Sequence, residues 1–134
     1  MKELGMKTKA KRNMEVAQRL IDKRFYTESV HCSYYAVLQY MKYVLAFVHQ
    51  NSIPYQDQDL KDKGSHEFIL GEIQNRIANA KLSKGIAEEV RLLKANRASA
   101  DYELMEFTDI ESLECLQTAN SIKTKLNTAF GMQL

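Results

Sequence analysis

The sequence has few of the residues that interrupt helices. Its 134 residues include one proline and five glycines, and no segment alternates between apolar and polar residues as a half-buried strand does. Internal repeats and low-complexity stretches are absent as well. Because proline and glycine mark many turns, this composition predicts long helices with few connections.

Cysteines and long apolar runs are also scarce. Cys32 and Cys115 are the two cysteines. Without a CxxC motif or a Cys/His cluster they indicate reduced core thiols rather than a disulfide framework or a zinc site. No apolar run approaches the roughly 20 residues of a membrane-spanning helix, and the first residues lack the apolar core of a signal peptide. We therefore expect a cytoplasmic protein with no membrane association.

Neither sign of charge dominates. The formal net charge is +2, which is too small by itself to indicate a nucleic-acid partner. The positive charges are unevenly placed, however, and five lie within the first twelve residues: Lys2, Lys7, Lys9, Lys11 and Arg12. Such a basic segment is either a nucleic-acid footprint or the solvated start of a helix.

Motifs that hold cofactors or metals are missing. The sequence contains no P-loop, no GxGxxG and no HExxH. Asp57, Asp59 and Asp62 suggest calcium, but an EF-hand loop that starts at Asp57 needs glycine where Asp62 stands and glutamate where Phe68 stands. We predict neither a cofactor nor a metal site.

What the sequence does contain is apolar residues at three- and four-residue steps, the helical period. They predict helices over five ranges: residues 3–23, 27–50, 65–79, 86–104 and 109–130. A long loop at 51–64 and a short link at 80–85 interrupt them, and residues 1–12 and 131–134 are expected to fray. The second helix is the most apolar, so it should be central. The predicted fold is a single all-α domain, an up-and-down antiparallel helical bundle of four to five helices.

Three polar residues are placed to cap these helices. Thr27 and Ser65 are the predicted N-caps of the second and third helices. Thr108, with Glu111 three residues later, has the spacing of a capping box before the last helix.

The fourth helix carries an arginine where its apolar stripe predicts a core residue. The stripe consists of Ile86, Val90, Leu93, Arg97, Ala100 and Leu104. A guanidinium stays charged, so at a buried position it needs partners, and Asn96, Asp101 and Tyr102 are nearby. Asp101 lies four residues after Arg97, so the two can form an intrahelical ion pair with a purely structural role. The alternative is that the arginine marks a functional site.

Histidines and tyrosines supply the other candidate residues. His31 lies one turn into the second helix, beside Tyr34 and Tyr35, and His66 lies at the start of the third helix. Neither histidine has the spacing of a metal ligand or of a nucleophile's base. The tyrosines indicate either packing at the edge of the core or stacking against a nucleotide base.

Two motifs, taken in this order, resemble the HEPN (higher eukaryotes and prokaryotes nucleotide-binding) domain family. One is Ser33-Tyr34-Tyr35-Ala36 in the second helix, and the other is Arg97-Ala98-Ser99-Ala100-Asp101-Tyr102 near the end of the fourth. Ser65-His66 after the long loop fits the same layout. The likeness covers roughly residues 13–126 and is strongest to the small single-domain bacterial branch with an R-x-x-x-DY signature.

The resemblance implies an all-α bundle that dimerises, with a groove near the dimer interface lined by the helix that carries Arg97. Family members are metal-independent ribonucleases, toxins that pair with small nucleotidyltransferases, or inactive binding modules. The ribonucleases carry R-x(4–6)-H with a polar residue after the arginine. Here Ala98 follows Arg97, and the positions for the histidine hold Tyr102, Glu103 and Leu104. The general acid or base of that motif is therefore missing.

Three functional hypotheses follow. The first is a non-catalytic HEPN-like module in a toxin-antitoxin-like setting, which binds a nucleotide or RNA phosphate, pairs with a nucleotidyltransferase, or does both. The second is a purely structural dimerisation or interaction module, which pairs with itself or with a nucleotidyltransferase and in which Arg97 and Asp101 form a buried pair. The third is a ribonuclease in which His66 or His31 replaces the missing histidine. The candidate binding residues are Arg97, Asn96, Asp101, Tyr102, Tyr34, Tyr35 and His31, and the candidate catalytic residues are Arg97 and His66.

Overall fold

The protein folds as a bundle of α-helices. The computed structural model describes residues 5–59 and 64–134, so Lys2 and Asp62 lie outside the described residues. The helices are α1 (Met6–Asp22), α2 (Tyr26–Phe47), α3 (Tyr55–Gln58), α4 (Ser65–Asn75), α5 (Ala80–Tyr102) and α6 (Asp109–Phe130). The all-α prediction is confirmed. The described residues form six helices, more than the predicted four to five, because a single turn, α3, lies within the expected loop.

Helix α2 is at the centre of the bundle, as its apolar sequence predicted. It packs against α1, α4, α5 and α6, and Val37, Met41 and Leu45 along it are buried. Full burial of a side chain of this size contributes roughly 1.5–3 kcal/mol. This helix therefore supplies a large part of the core, and its packing fixes the position of its other side chains.

Side-chain contacts define the helix directions. The start of α2 lies beside the end of α5, where His31 contacts Asp101. The start of α4 lies beside the second half of α5, where Glu67 contacts Lys94. Helix α5 therefore runs antiparallel to both α2 and α4. The N-terminal segments of α2 and α4 and the C-terminal segment of α5 thus meet at one end of the bundle.

Two of the predicted N-caps are wrong, because Phe25 rather than Thr27 precedes α2 and Gly64 rather than Ser65 precedes α4. Helix α2 begins at Tyr26, with Phe25 at the N-cap position, and Thr27 Oγ1 instead accepts a hydrogen bond from the backbone N–H of Phe107 at 2.9 Å. Ser65 is the first residue of α4, and Gly64, with a φ of 111°, occupies its N-cap position. The contact made by Thr27 ties the start of α2 to the segment between α5 and α6.

Helix α5 is longer than predicted. It starts at Ala80, and Asn79 caps it by accepting a hydrogen bond from the backbone N–H of Leu82 at 3.0 Å. The expected link at 80–85 is therefore helical. Gly85 suggested a break there, but an isolated glycine inside a helix costs only about 1 kcal/mol, which a good N-cap and packing on α6 offset.

Both ends of α6 are fixed. The predicted capping box between Thr108 and Glu111 is present. After the left-handed C-cap at Gly131, Leu134 is buried and donates its N–H to Asn127 Oδ1 at 2.8 Å. The expected fraying of 131–134 is therefore wrong, because the last side chain packs on the core. Within the described part of the chain, no helix combines the length and apolar character that spanning a membrane requires.

Candidate functional site

Seven of the predicted site residues come together where α2, α4 and α5 meet. We call this set the arginine cluster: His31, Tyr34 and Tyr35 of α2, His66 of α4, and Arg97, Asp101 and Tyr102 of α5. Residues three and four apart on a helix share a face, which brings His31 next to Tyr34 and Tyr35. The antiparallel packing of α5 then brings Arg97 onto that face.

Arg97 is held between aromatic rings. Its Cζ lies 5.3, 5.2 and 5.7 Å from the ring centroids of Tyr34, Tyr35 and Tyr102. Its Nη2 donates to Tyr35 Oη at 2.8 Å. The side chain is only 12% exposed, and at such a partly desolvated position each cation–π contact contributes about 0.5–2 kcal/mol. The rings and one hydroxyl therefore stabilise much of the buried charge.

The guanidinium has unused hydrogen-bonding capacity. Its buried Nε has no hydrogen-bond acceptor among the residues that the structure describes. Asp101 Oδ2 lies 3.7 Å from Nε, which is an ion-pair distance but too long for a hydrogen bond. The intrahelical pair proposed from the sequence is thus present, but loose.

Asp101 makes its closer contact with α2. Its Oδ2 lies 2.8 Å from Nδ1 of His31, whose ring stacks at 4.5 Å on that of Tyr35. The Asp101 side chain is 22% exposed and that of His31 is half exposed. Burial, and then the charge of Asp101, raise the pKa of the neighbouring Cys32 thiol. His31 therefore holds the carboxylate beside Arg97 without bringing it into hydrogen-bond contact.

His66 and Tyr34 form a second hydrogen-bonded pair. Tyr34 is fully buried, and its Oη lies 2.7 Å from His66 Nδ1. Burial raises the pKa of Tyr34, while the charge of Arg97 lowers it by less, so the hydroxyl stays protonated and donates to Nδ1. Burial also lowers the pKa of His66, and the charges of Lys94, Arg97 and Lys42 lower it further. At neutral pH His66 is therefore an uncharged imidazole, and its proton lies on Nε2 when Tyr34 donates to Nδ1.

Further charged residues surround the cluster, and the sequence did not indicate them. Lys94 Nζ lies 3.7 Å from Glu67 Oε1, and Arg91 Nη2 lies 3.5 Å from the other oxygen of that carboxylate. Lys42 Nζ lies 3.3 Å from Asp59 Oδ1. The spacing of 91, 94 and 97 on one helix could have revealed the two α5 residues. No sequence spacing indicated Lys42, because it comes near His66 only through the packing of α4 on α2.

The structure places the remaining candidate, Asn96, away from the arginine cluster. Successive helical residues point about 100° apart, so the neighbour of Arg97 turns toward α6. There Asn96 lies near the Cys115 thiol, and burial raises the pKa of that thiol to about 11. It also lines a cavity of about 190 Å³ with Leu92 and Phe107. Asn96 is therefore removed from the partners of Arg97 that the sequence predicted.

The chemical groups that the cluster presents define what it can contact. In the described ranges, no group of three or more His, Cys, Asp or Glu residues is arranged to hold a metal ion. The arrangement instead offers a charged fork, a neutral imidazole and several aromatic faces. Planar guanidinium groups match phosphate oxygens, and aromatic rings stack on bases.

Comparison with protein-family models gives a match over most of the chain. The family model of the HEPN domain matches residues 5–128. Searches of curated proteins and of solved structures gave no match.

Proposed function

The chain belongs to the HEPN domain family, and on this premise we propose that it is a non-catalytic module that binds a nucleotide or RNA phosphate at Arg97. The observation that carries the proposal is the unsatisfied guanidinium. Its Nε has no hydrogen-bond acceptor in the described residues, and its counter-ion stays 3.7 Å away. Leaving a buried charged donor without an acceptor costs free energy, so binding of an anionic ligand that supplies an acceptor is favoured.

The proposed ligand phosphate takes the place of the Asp101 carboxylate beside Arg97. Asp101 is partly exposed and contacts half-exposed His31 more closely than Arg97, so it can move away from the guanidinium toward solvent. Phosphate oxygens then accept hydrogen bonds from the guanidinium, with bidentate geometry available. Tyr102, which is largely exposed over the guanidinium, is placed to stack on a base or ribose.

Titration with adenosine monophosphate and a short RNA tests this site. We expect Arg97→Ala to weaken binding by tenfold or more, since a hydrogen bond to a charged group contributes about 1.5–3 kcal/mol. Arg91→Ala is the matched control, because Arg91 is on the same helix and more than half exposed. Equal affinity of Arg97→Ala and the unmutated chain would remove the basis for the site.

A ribonuclease is the second candidate function, and the two imidazoles of the cluster favour it. His66 and His31 both make ring contacts with the tyrosines that flank Arg97. When Tyr34 donates to Nδ1, the lone pair of neutral His66 is occupied, so His66 acts as a general base only after that hydrogen bond breaks. The test is cleavage of RNA in the presence of a chelator. Loss of cleavage in both His66→Ala and Arg97→Ala supports this function, whereas no cleavage by the unmutated chain excludes it.

We propose that the protein pairs with a second copy or with a nucleotidyltransferase. The contact would use the corner of the bundle next to the arginine cluster. The exposed apolar side chains of this corner are Tyr102, Leu104, Met105 and Ile110. Exposed apolar groups gathered in this way are typical of interaction sites. Light scattering after size exclusion is expected to give twice the 15.5 kDa of one chain, and Leu104→Asp to give the single mass. A monomeric unmutated chain that also fails to bind a co-expressed nucleotidyltransferase would contradict the proposal.

A further inference from the structure

A second group of aromatic side chains lies at the other end of α2. We call Tyr43, Phe47 and Tyr55 the aromatic platform. Tyr43 and Phe47 are four residues apart on α2, with ring centroids 4.7 Å apart and planes tilted by 30°. Tyr55, at the start of α3, lies 6.3 Å from Phe47 at 65°. Phe47 is 60% exposed, so a large aromatic face is open to solvent between two tyrosines.

The platform lies beside the most basic segment of the chain. Lys7 Nζ is 5.8 Å from the ring centroid of Tyr43, which brings the start of α1 to the edge of the platform. Lys9, Lys11 and Arg12 on that helix are exposed, and residues 5–14 contain no acidic side chain. On the α3 side the described charges are exposed Asp57 and Asp59, and Asp59 pairs with Lys42. The platform therefore has a basic side, formed by the start of α1, and an acidic residue, Asp57, on the α3 side.

We propose that the aromatic platform and the basic start of α1 form a binding site for single-stranded nucleic acid. Proteins that bind single strands combine rings on which bases stack with a positive surface that follows the backbone. Here an unpaired base stacks on the exposed face of Phe47. Lys7, and Lys11 one turn further along the same face of α1, contact the adjoining phosphates. The positive surface favours this ligand over a neutral apolar peptide.

The platform is separate from the arginine cluster and does not depend on phosphate binding there. Tyr35 and Phe47 are twelve residues apart on α2, which is about 18 Å at roughly 1.5 Å per residue. A stacked strand rises about 3.4 Å per nucleotide, so about five nucleotides cover this distance. A mononucleotide at Arg97 cannot reach the platform, whereas a longer strand can reach both.

A tryptophan probe tests stacking directly. The chain contains no tryptophan, so Phe47→Trp introduces a single indole whose emission a stacked base quenches. We expect saturable quenching by an eight-nucleotide oligoadenylate RNA. Leu92→Trp is the matched control, because Leu92 is equally exposed, at 58%, but lies on α5, and it should show no quenching. Quenching by a proline-rich peptide but not by the RNA would overturn the proposal.

Affinity measurements separate this site from the arginine cluster. Fluorescence anisotropy with the same RNA is expected to show about tenfold weaker binding for Phe47→Ala, the loss of one stacked base. Adenosine monophosphate binding should be unchanged in this variant, and a thermal melt checks that it is folded. Unchanged RNA affinity in folded Phe47→Ala would refute the platform. Loss of mononucleotide binding in Arg97→Ala reports on the proposed function alone.

Discussion

Removing the charge of Asp101 should strengthen phosphate binding at Arg97. At the 3.7 Å separation of Oδ2 and Nε, Coulomb's law with an effective dielectric constant of about 20 gives an attraction of about 4.5 kcal/mol. Partial exposure of the carboxylate and its contact with His31 reduce the net effect to about 1 kcal/mol. A ligand phosphate no longer competes with this charge in Asp101→Asn, so we expect about a fivefold gain in affinity for adenosine monophosphate by calorimetry.

The same variant separates a binding site from a structural ion pair. If Arg97 and Asp101 serve only the fold, Asp101→Asn leaves an uncompensated charge, and stability falls without any gain in affinity. If the site binds phosphate, saturating ligand at about 100 times its Kd restores about 2.7 kcal/mol, which a thermal melt detects. Glu67→Gln is the control, since Glu67 contacts Lys94 and Arg91 rather than Arg97. Weaker binding by a folded Asp101→Asn would refute the reasoning.

Three further predictions concern pH and stability. The folded-state pKa of His66 is lowered, so the unfolded chain binds more protons and the free energy of unfolding should fall as pH drops below about 6.5. His66→Gln should flatten this pH dependence in urea titrations, and an unchanged pH dependence would contradict the lowered pKa. Thr27→Val removes the acceptor of the Phe107 N–H and should cost about 1–3 kcal/mol in the same titration, where a neutral result would show that the bond is dispensable. Thr108→Ala removes the capping box and should cost about 1 kcal/mol, with loss of helical signal on heating; equal stability would assign the helix start to packing alone.

Local rules were sufficient for the parts of the fold and the site that depend on one helix. The apolar stripe of α5 singled out Arg97, and helical spacing placed Asp101 and Tyr102 beside it. The capping box at Thr108 was predicted because its partner is only three residues away. The central position of α2 followed from its apolar content.

Tertiary contacts decided the rest. Thr27 has a good N-cap side chain, but the backbone of Phe107 uses its hydroxyl instead. Asn96 is adjacent to Arg97 in sequence and faces Cys115 in space. The contacts of His31 and Tyr35 with α5 span more than sixty residues, so only the family resemblance, and no spacing rule, connected them with Arg97.

The most direct test of the account is the NMR signal of the Arg97 Nε–H group. This buried group has no acceptor in the described part of the chain, and Arg97→Lys assigns its resonance by removing it. We predict a saturable downfield shift of this resonance on titration with adenosine monophosphate, with no comparable shift for Arg91. Binding of the nucleotide without any shift of this resonance would contradict the central claim. Absence of nucleotide binding at millimolar concentration would contradict it as well.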